Sequence, residues 1–276
     1  MKRILTLVLV FAMVLSMATC FTSCGGLDPA EDWETIKDRG YFVCGVTPYP
    51  PMNYLDENGE WTGFDTDFAI AVAKYLDVDV KFQEIDWGSK YTELNGGSID
   101  LIWNGYTYGN ENGVSRTEYV DFSYSYFENV QCVVVKADRL AELGTKEALS
   151  GKTAAVEGGS SGEGEAQGLT AEEKIVGFDT QALALNDLNA GMADFAVVDR
   201  HIAEAMVGQN DYASLTIVEA IEFEPEVYAI GARKGSSFTE KLNEAIKALS
   251  ADGTLTEIAK KYGKEGNLIA NIGQGK

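Results

Sequence analysis

The sequence predicts an α/β protein of two lobes that face each other across a cleft, and three observations carry that expectation. Strand-like and helix-like stretches alternate from Trp33 onward. The same alternation restarts after Ser150-Gly151, and two extended runs, Asn129 to Lys136 and Glu226 to Arg233, are placed to cross between the halves. A chain of 276 residues makes one large domain or two ordinary ones at about 150 residues each. The expected division is a signal peptide over 1–23, a tether over 24–32, a first lobe from 33–129 and 230–276, and a second lobe from 130–229.

Taken in order, the elements begin with an address. Lys2 and Arg3 precede an almost unbroken apolar run from Ile4 to Leu15, the order of charge and hydrophobe in an export signal. That run is shorter than the roughly 20 residues that span a membrane. Small residues, a cysteine and then glycines resemble a bacterial lipobox, in which the cysteine thiol is acylated. Cys24, between Ser23 and Gly25-Gly26, is the expected site, with Cys20 as the alternative; a plain secretory peptide also fits.

Phe42 to Val46 reads as a buried strand. Asp65 is expected to cap a helix whose apolar residues Phe68, Ala71, Val72, Tyr75 and Leu76 recur with a 3.6-residue period. Val78 to Ile85 alternates as a strand, Tyr91 to Leu94 is a helical turn, and Ile99 to Trp103 is again strand. In the second half Thr153 to Val156, Lys174 to Phe178 and Asp194 to Val198 look like parallel strands, and Gln181 to Ala190 is a helix closed by Gly191. Two tail helices carry the stripes Leu242, Ala245, Ile246, Leu249 and Leu255, Ile258, Ala259, Tyr262, so each is expected to pack on a lobe.

Composition excludes several functions. With 22 Lys+Arg against 43 Asp+Glu the formal charge is −21, which opposes a nucleic-acid partner, because affinity for phosphates comes from cationic side chains. Hydrophobic residues at 45% place that acidity on a folded surface and not on a disordered chain. A single histidine, His201, leaves no cluster for a transition metal and thin resources for acid–base catalysis, so no metal, cofactor or catalytic residue is expected. Cys44 and Cys132 lie in apolar stretches, and two buried thiols or one disulfide fit equally.

Ligands of open α/β sheets bind beyond the carboxyl ends of strands. After the first strand, Thr47 to Tyr54 holds three prolines, a stiff loop that could fix Tyr49 or Tyr54 as an aromatic wall. After Trp103 come Asn104, Gly105, Tyr106 and Thr107, and further on Arg116, whose planar fork suits a carboxylate; a surface ion pair also fits. Glu157 to Gly162 is a small-residue turn whose N–H groups and the hydroxyls of Ser160 and Ser161 suit an anion, and a plain flexible turn also fits. Asp199, at the end of a strand, is placed either to receive an ammonium group or to cap the next helix. The glutamates of 219–226 read as a solvated acidic edge.

In order along the chain, several stretches resemble the bacterial extracellular solute-binding proteins of family 3, the receptors of ABC transporters for polar amino acids. They are Tyr49-Pro50-Pro51-Met52, Gly63 to Asp67, Ile99 to Gly105, Arg116 to Phe122, Leu149 to Thr153, Gly159-Ser160-Ser161, Ala193 to Asp199 and Ala251 to Thr254. The resemblance implies a type II periplasmic-binding-protein-like fold. It implies that Arg116 clamps a ligand α-carboxylate, helped by Thr107, the Gly105 region, Ser160 and Ser161, that Asp199 receives the α-ammonium, and that Tyr49 lines the cleft. Trp87 and Lys90 fall where the family contacts the distal side chain, and Lys90 inclines the expectation toward a neutral or acidic one. The loop from Tyr108 to Ser115 is about four residues longer than the family's. The expected protein is a monomeric lipid-anchored receptor outside the cytoplasm, touching the membrane only through its lipid, with a free amino acid and ABC permease subunits as partners. A periplasmic dehydratase or lyase on the same scaffold, or a tethered amino-acid sensor, are the alternatives.

Overall fold

In the computed structural model, residues 27–111, 113–270 and 272–273 are described. The signal peptide over 1–23 and the acylated Cys24 or Cys20 lie outside the described residues. Of the tether, the described part is folded. Asp28 accepts the Ala30 N–H to start a short 3-10 turn, Pro29–Glu31, and helix α1 (Asp32–Arg39) follows directly. Buried Asp32 receives the Arg233 guanidinium at 2.9–3.1 Å, which pins this end of the chain to the first lobe.

The first lobe continues with β1 (Tyr41–Val46), the small hairpin β2 (Tyr54–Leu55) and β3 (Trp61–Thr62), α2 (Phe64–Tyr75), β4 (Asp79–Glu84), α3 (Lys90–Gly96) and β5 (Leu101–Ile102). A second small hairpin, β6 (Asn110–Glu111) and β7 (Val114–Ser115), precedes β8 (Val120–Phe122). Then come the linking strand β9 (Phe127–Asn129) and β10 (Gln131–Lys136). The second lobe adds α4 (Leu140–Leu143), β11 (Ala154–Glu157), α5 (Ser161–Gln167), β12 (Ile175–Phe178), α6 (Gln181–Ala190), β13 (Phe195–Asp199), α7 (Arg200–Met206) and β14 (Leu215–Ile217). The chain returns through β15 (Glu226–Tyr228) and β16 (Gly231–Arg233) to the tail helices α8 (Phe238–Ala251) and α9 (Thr254–Lys261).

Two five-stranded sheets result. The first has the order β4-β1-β5-β16-β8, parallel through β4, β1 and β5 and antiparallel beyond. The second has the order β12-β11-β13-β10-β14, with β12, β11 and β13 parallel as expected. The linking pair β9 and β15 is antiparallel, with Glu226 opposite Asn129 and Tyr228 opposite Phe127. The crossing runs are therefore shorter than the sequence suggested. Residues 131–136 sit inside the second sheet between β13 and β14, and 231–233 inside the first. The reason is visible in the composition of β10: Cys132, Val133, Val134 and Val135 are all buried, as in a central strand covered on both faces, and a crossing strand has no such cover.

A second expectation fails at α2. Its N-cap is Gly63, not Asp65, and the first helical N–H groups go to backbone carbonyls: Phe64 to Pro51 at 2.8 Å and Asp65 to Met52 at 2.9 Å. Gly63 has φ 121°, and a side chain there would overlap the Met52 carbonyl. The buried face runs through Phe64, Phe68, Ala69, Val72 and Ala73, while Tyr75 is half exposed. The tail helices pack on α2 with Leu242, Ala245, Ile246, Leu249, Leu255 and Ala259 buried.

Candidate functional site: a polar cleft between the lobes

One cleft is lined by Tyr49, Trp87, Asn104, Gly105, Thr107 and Arg116 from the first lobe and by Glu157, Ser160, Ser161, Gln181 and Asp199 from the second. Its volume is only about 10 Å³, close to that of one water, so the walls nearly touch. Each wall is built from strand ends. Past β1, the Thr47 N–H and hydroxyl both donate to Asn104 Oδ1, at 3.1 and 2.6 Å. Asn104 Nδ2 donates to the Thr47 carbonyl and Asn53 Oδ1 at 2.9 and 2.8 Å. This reciprocal lock fixes the loops after β1 and β5 to each other. Asp65, free of capping duty, accepts the Gly105 N–H and the Tyr126 hydroxyl, both at 2.7 Å. Burial raises its carboxyl to about 6, against the pull of those donors.

Tyr49 is the aromatic wall, and Tyr54 lies in the β2–β3 hairpin instead. The Tyr49 hydroxyl pairs with that of Tyr228 at 2.7 Å, and Tyr228 donates to Asp199 at 2.9 Å, so a chain of hydroxyls leads into the second lobe. The Trp87 indole N–H has no hydrogen-bond partner among the described residues.

Arg116 is buried in the cleft despite the longer loop before it. The extra residues fold back as β6 and β7, and the Arg116 N–H closes on the Gly109 carbonyl at 2.9 Å. Its guanidinium donates to the Thr107 carbonyl at 2.9 Å and, across the cleft, to the Gly159 carbonyl at 3.1 Å, and it lies over the Tyr106 ring. Arg116 does face a carboxylate, Glu111 at 3.4 Å, but Arg116 is buried and the pair is not on the surface.

In the second lobe the turn after β11 is held by its own helix. Ser160 Oγ accepts the Glu163 N–H at 3.2 Å while Glu163 takes the Gly159 N–H at 2.9 Å, a reciprocal cap that sets Ser160 and Ser161 on the cleft wall. Asp199 occupies the N-cap position of α7 but makes no capping bond. Its oxygens instead take Gln131 Nε2 at 2.8 Å, the Tyr228 hydroxyl, and the amides of Asn129 and Gln181. Burial and the neighbouring Glu226 raise its carboxyl to about 7. Burial, with Asp199 nearby, raises Glu157 to about 8, opposed by Lys90 and Arg116.

Two expected site residues stand behind the wall. The Lys90 ammonium meets Glu111 at 3.0 Å and the carbonyls of Trp87 and Gly159 at 3.3 Å, and burial lowers its pKa. Tyr106 supports Arg116 and donates to or accepts from Tyr91 at 3.0 Å. Sequence reasoning missed Glu157 and Gln181 as lining residues. The strand-end rule that found Asp199 also points to Glu157, the last residue of β11. Glu111 carried no signal, because only the folded hairpin brings it to Lys90. Cys44 and Cys132 are free buried thiols in different sheets, so no disulfide joins them. His201 lies outside the cleft lining. It contacts the Glu128 carbonyl and Lys264, both at 3.0 Å, and burial lowers it to about 4.

Two sheet-based lobes, a two-strand link and a cleft carrying a buried cation and buried carboxylates define a two-lobed solute-binding architecture. The family described as bacterial extracellular solute-binding proteins, family 3, matches residues 42–265, and this chain belongs to it. The chain is 30% identical over 278 residues to the glutamine-binding protein GlnH of an ABC transporter of Bacillus subtilis strain 168, covering 95% of this chain and 97% of that one. Among solved structures it is similar to an ancestral arginine-binding protein bound to arginine, with TM-score 0.73 and 36% identity over 81% of this chain and 98% of that one. It is also similar to an ABC uptake transporter substrate-binding protein from Streptococcus pneumoniae with bound histidine, with TM-score 0.74 and 30% identity over 86% and 98% of the two chains. The fold is thus of the type II periplasmic binding kind. Membership of an extracellular family places the chain outside the cytoplasm.

Proposed function

We propose that this chain is a lipid-anchored receptor that captures one free amino acid in the interlobe cleft and delivers it to an ABC permease, acting as a monomer without covalent chemistry. The observation that carries this reading is the placement of Arg116 and Asp199 on opposite walls of one cleft, both buried. A guanidinium can exchange the Thr107 and Gly159 carbonyls for the two oxygens of an α-carboxylate, with Ser160 and Ser161 filling the remaining lone pairs. Asp199, flanked by amides and the Tyr228 hydroxyl, offers the counter-charge to an α-ammonium. A zwitterion then satisfies both lobes at once, and closure around it gives the affinity and the loaded shape that a permease can read. The similarity to ABC transporter binding proteins supports the permease as partner, and Cys24, with Ser23 before it and Gly25-Gly26 after it, supports the anchor.

Calorimetric titration with a panel of free L-amino acids tests the reading. The expected result is saturable binding of at least one of them and a loss of roughly two orders of magnitude in affinity for Arg116→Ala. No binding by any of them, or undiminished binding by the variant, would overturn it.

A further inference from the structure

The hairpin β6–β7 does more than bridge a longer loop, because it delivers a carboxylate to the two cations of the first lobe. Lys90 and Arg116 are both buried, and both donate to the same acceptor, the Gly159 carbonyl, at 3.3 and 3.1 Å. Two buried like charges that share one carbonyl repel unless an anion lies between them. Glu111 is that anion. Its Oε1 meets Lys90 Nζ at 3.0 Å, and its Oε2 accepts the Tyr91 hydroxyl at 2.6 Å and faces Arg116 Nε at 3.4 Å. The carboxylate is itself only 14% exposed, and it abuts the Gly159 turn of the second lobe.

We propose that Glu111 sets the charge of the ligand side chain: it is a built-in counter-anion for Lys90 and Arg116, and it restricts the cleft to amino acids with a neutral or cationic side chain. This inference rests on the reading of the cleft as a free amino-acid site. Once an α-carboxylate takes Arg116, the Lys90 charge is already matched by Glu111. A second ligand carboxylate would then add a negative charge near Glu111, which stands behind the wall with Lys90, and would find no uncommitted cation among the described residues of the cleft wall. A cationic side chain would instead find the buried Glu157 carboxyl, which makes no ion pair with a described residue and which a ligand cation would hold in its charged form. On this proposal the neutral half of the expectation drawn from Lys90 stands and the acidic half gives way to a cationic one, because the ammonium is matched inside the protein by Glu111.

Affinities of the full chain and of Glu111→Gln for glutamine, glutamate and arginine test the proposal, since glutamine and glutamate differ in charge at nearly equal size. The wild type is expected to bind glutamine or arginine at least about tenfold more tightly than glutamate. In Glu111→Gln the affinity for glutamate, relative to the better of the other two, is expected to rise about tenfold or more. Lys90→Met, which leaves the Glu111 carboxylate unmatched, should move the ratio the other way, toward arginine. A wild type that prefers glutamate, or relative affinities unchanged in Glu111→Gln, overturns the proposal. Because the readout is a ratio, a general loss of affinity in a variant does not imitate the effect. A wild type that binds no free amino acid removes the proposed function itself, and the role of Glu111 with it, which is a distinct outcome.

Discussion

Asp199 and Glu157 are buried carboxyls whose neighbours decide what they do. Asp199 stands where an N-cap residue stands, yet its oxygens are spent on Gln131, Tyr228, Asn129 and Gln181. Glu157 is held at about 8 and Asp199 at about 7, chiefly because burial penalises the charged form. The native state therefore keeps protons that the unfolded chain releases near pH 4. The stability these groups contribute is full below that value and is lost as pH rises through 7 and 8. Glu157→Gln, which keeps the neutral shape, is expected to melt near the wild-type temperature at about pH 5 and a few degrees above it at about pH 9. Thermal unfolding followed by circular dichroism across that range checks this, and parallel pH profiles for the two proteins would refute it. His201 has the opposite sign: held near 4 by burial, it costs stability as pH falls from 6.5 through that value.

Helix α2 shows how an element is set by a neighbour it does not contain. The loop that presents Tyr49 also supplies Pro51 and Met52 carbonyls to the first turn of the helix, and that close approach leaves no room for a side chain at residue 63. Gly63→Ala is expected to cost about 2–4 kcal/mol, from the left-handed φ and the overlap together. Urea unfolding would measure it, and a loss below about 0.5 kcal/mol would show that the loop relaxes freely. The helix itself was legible from its periodicity, with Phe68 and Val72 buried as expected, but its cap and the exposure of Tyr75 were not. Asp65 has the chemistry of a cap residue, and nothing local reveals that its carboxylate is claimed by Gly105 and Tyr126 from distant parts of the chain. The β6–β7 hairpin was read only as extra length, for the same reason.

At the scale of the molecule, the bonds between the lobes include those of Arg116 and Lys90 to Gly159, Tyr49 to Tyr228, Tyr228 to Asp199 and Lys264 to His201 and Glu204, alongside the β9–β15 link. Entry of an amino acid into so narrow a cleft requires the bonds of Arg116 and Lys90 to Gly159 to part, and the two-strand link is the short segment about which they can. The acidic charge of the chain, −21, does not set the character of the cleft, where Arg116 is buried in the wall and Lys90 behind it. Anchoring belongs to the same scale. Expressed in its own type of host, the full chain is expected in the membrane fraction, and Cys24→Ser is expected to move it to the soluble fraction. Fractionation with immunodetection checks this, and membrane retention by the variant would place the anchor at Cys20 or elsewhere.

Alternation of periods, strand ends followed by polar residues, and the order of short motifs determined the α/β class, the two lobes and most of the cleft, including Tyr49, Arg116, Ser160, Ser161 and Asp199. These are local signals, written in a few consecutive residues. Tertiary structure alone decided where the crossing strands begin, that Cys44 and Cys132 stay apart, that Glu157 and Gln181 face the cleft, and that Lys90 is matched by Glu111. The physical reason is common to all four. Strand neighbours, thiol distances and the balance of buried charge are set by segments far apart in the chain, and a charge counted from sequence has no partner until the fold supplies one.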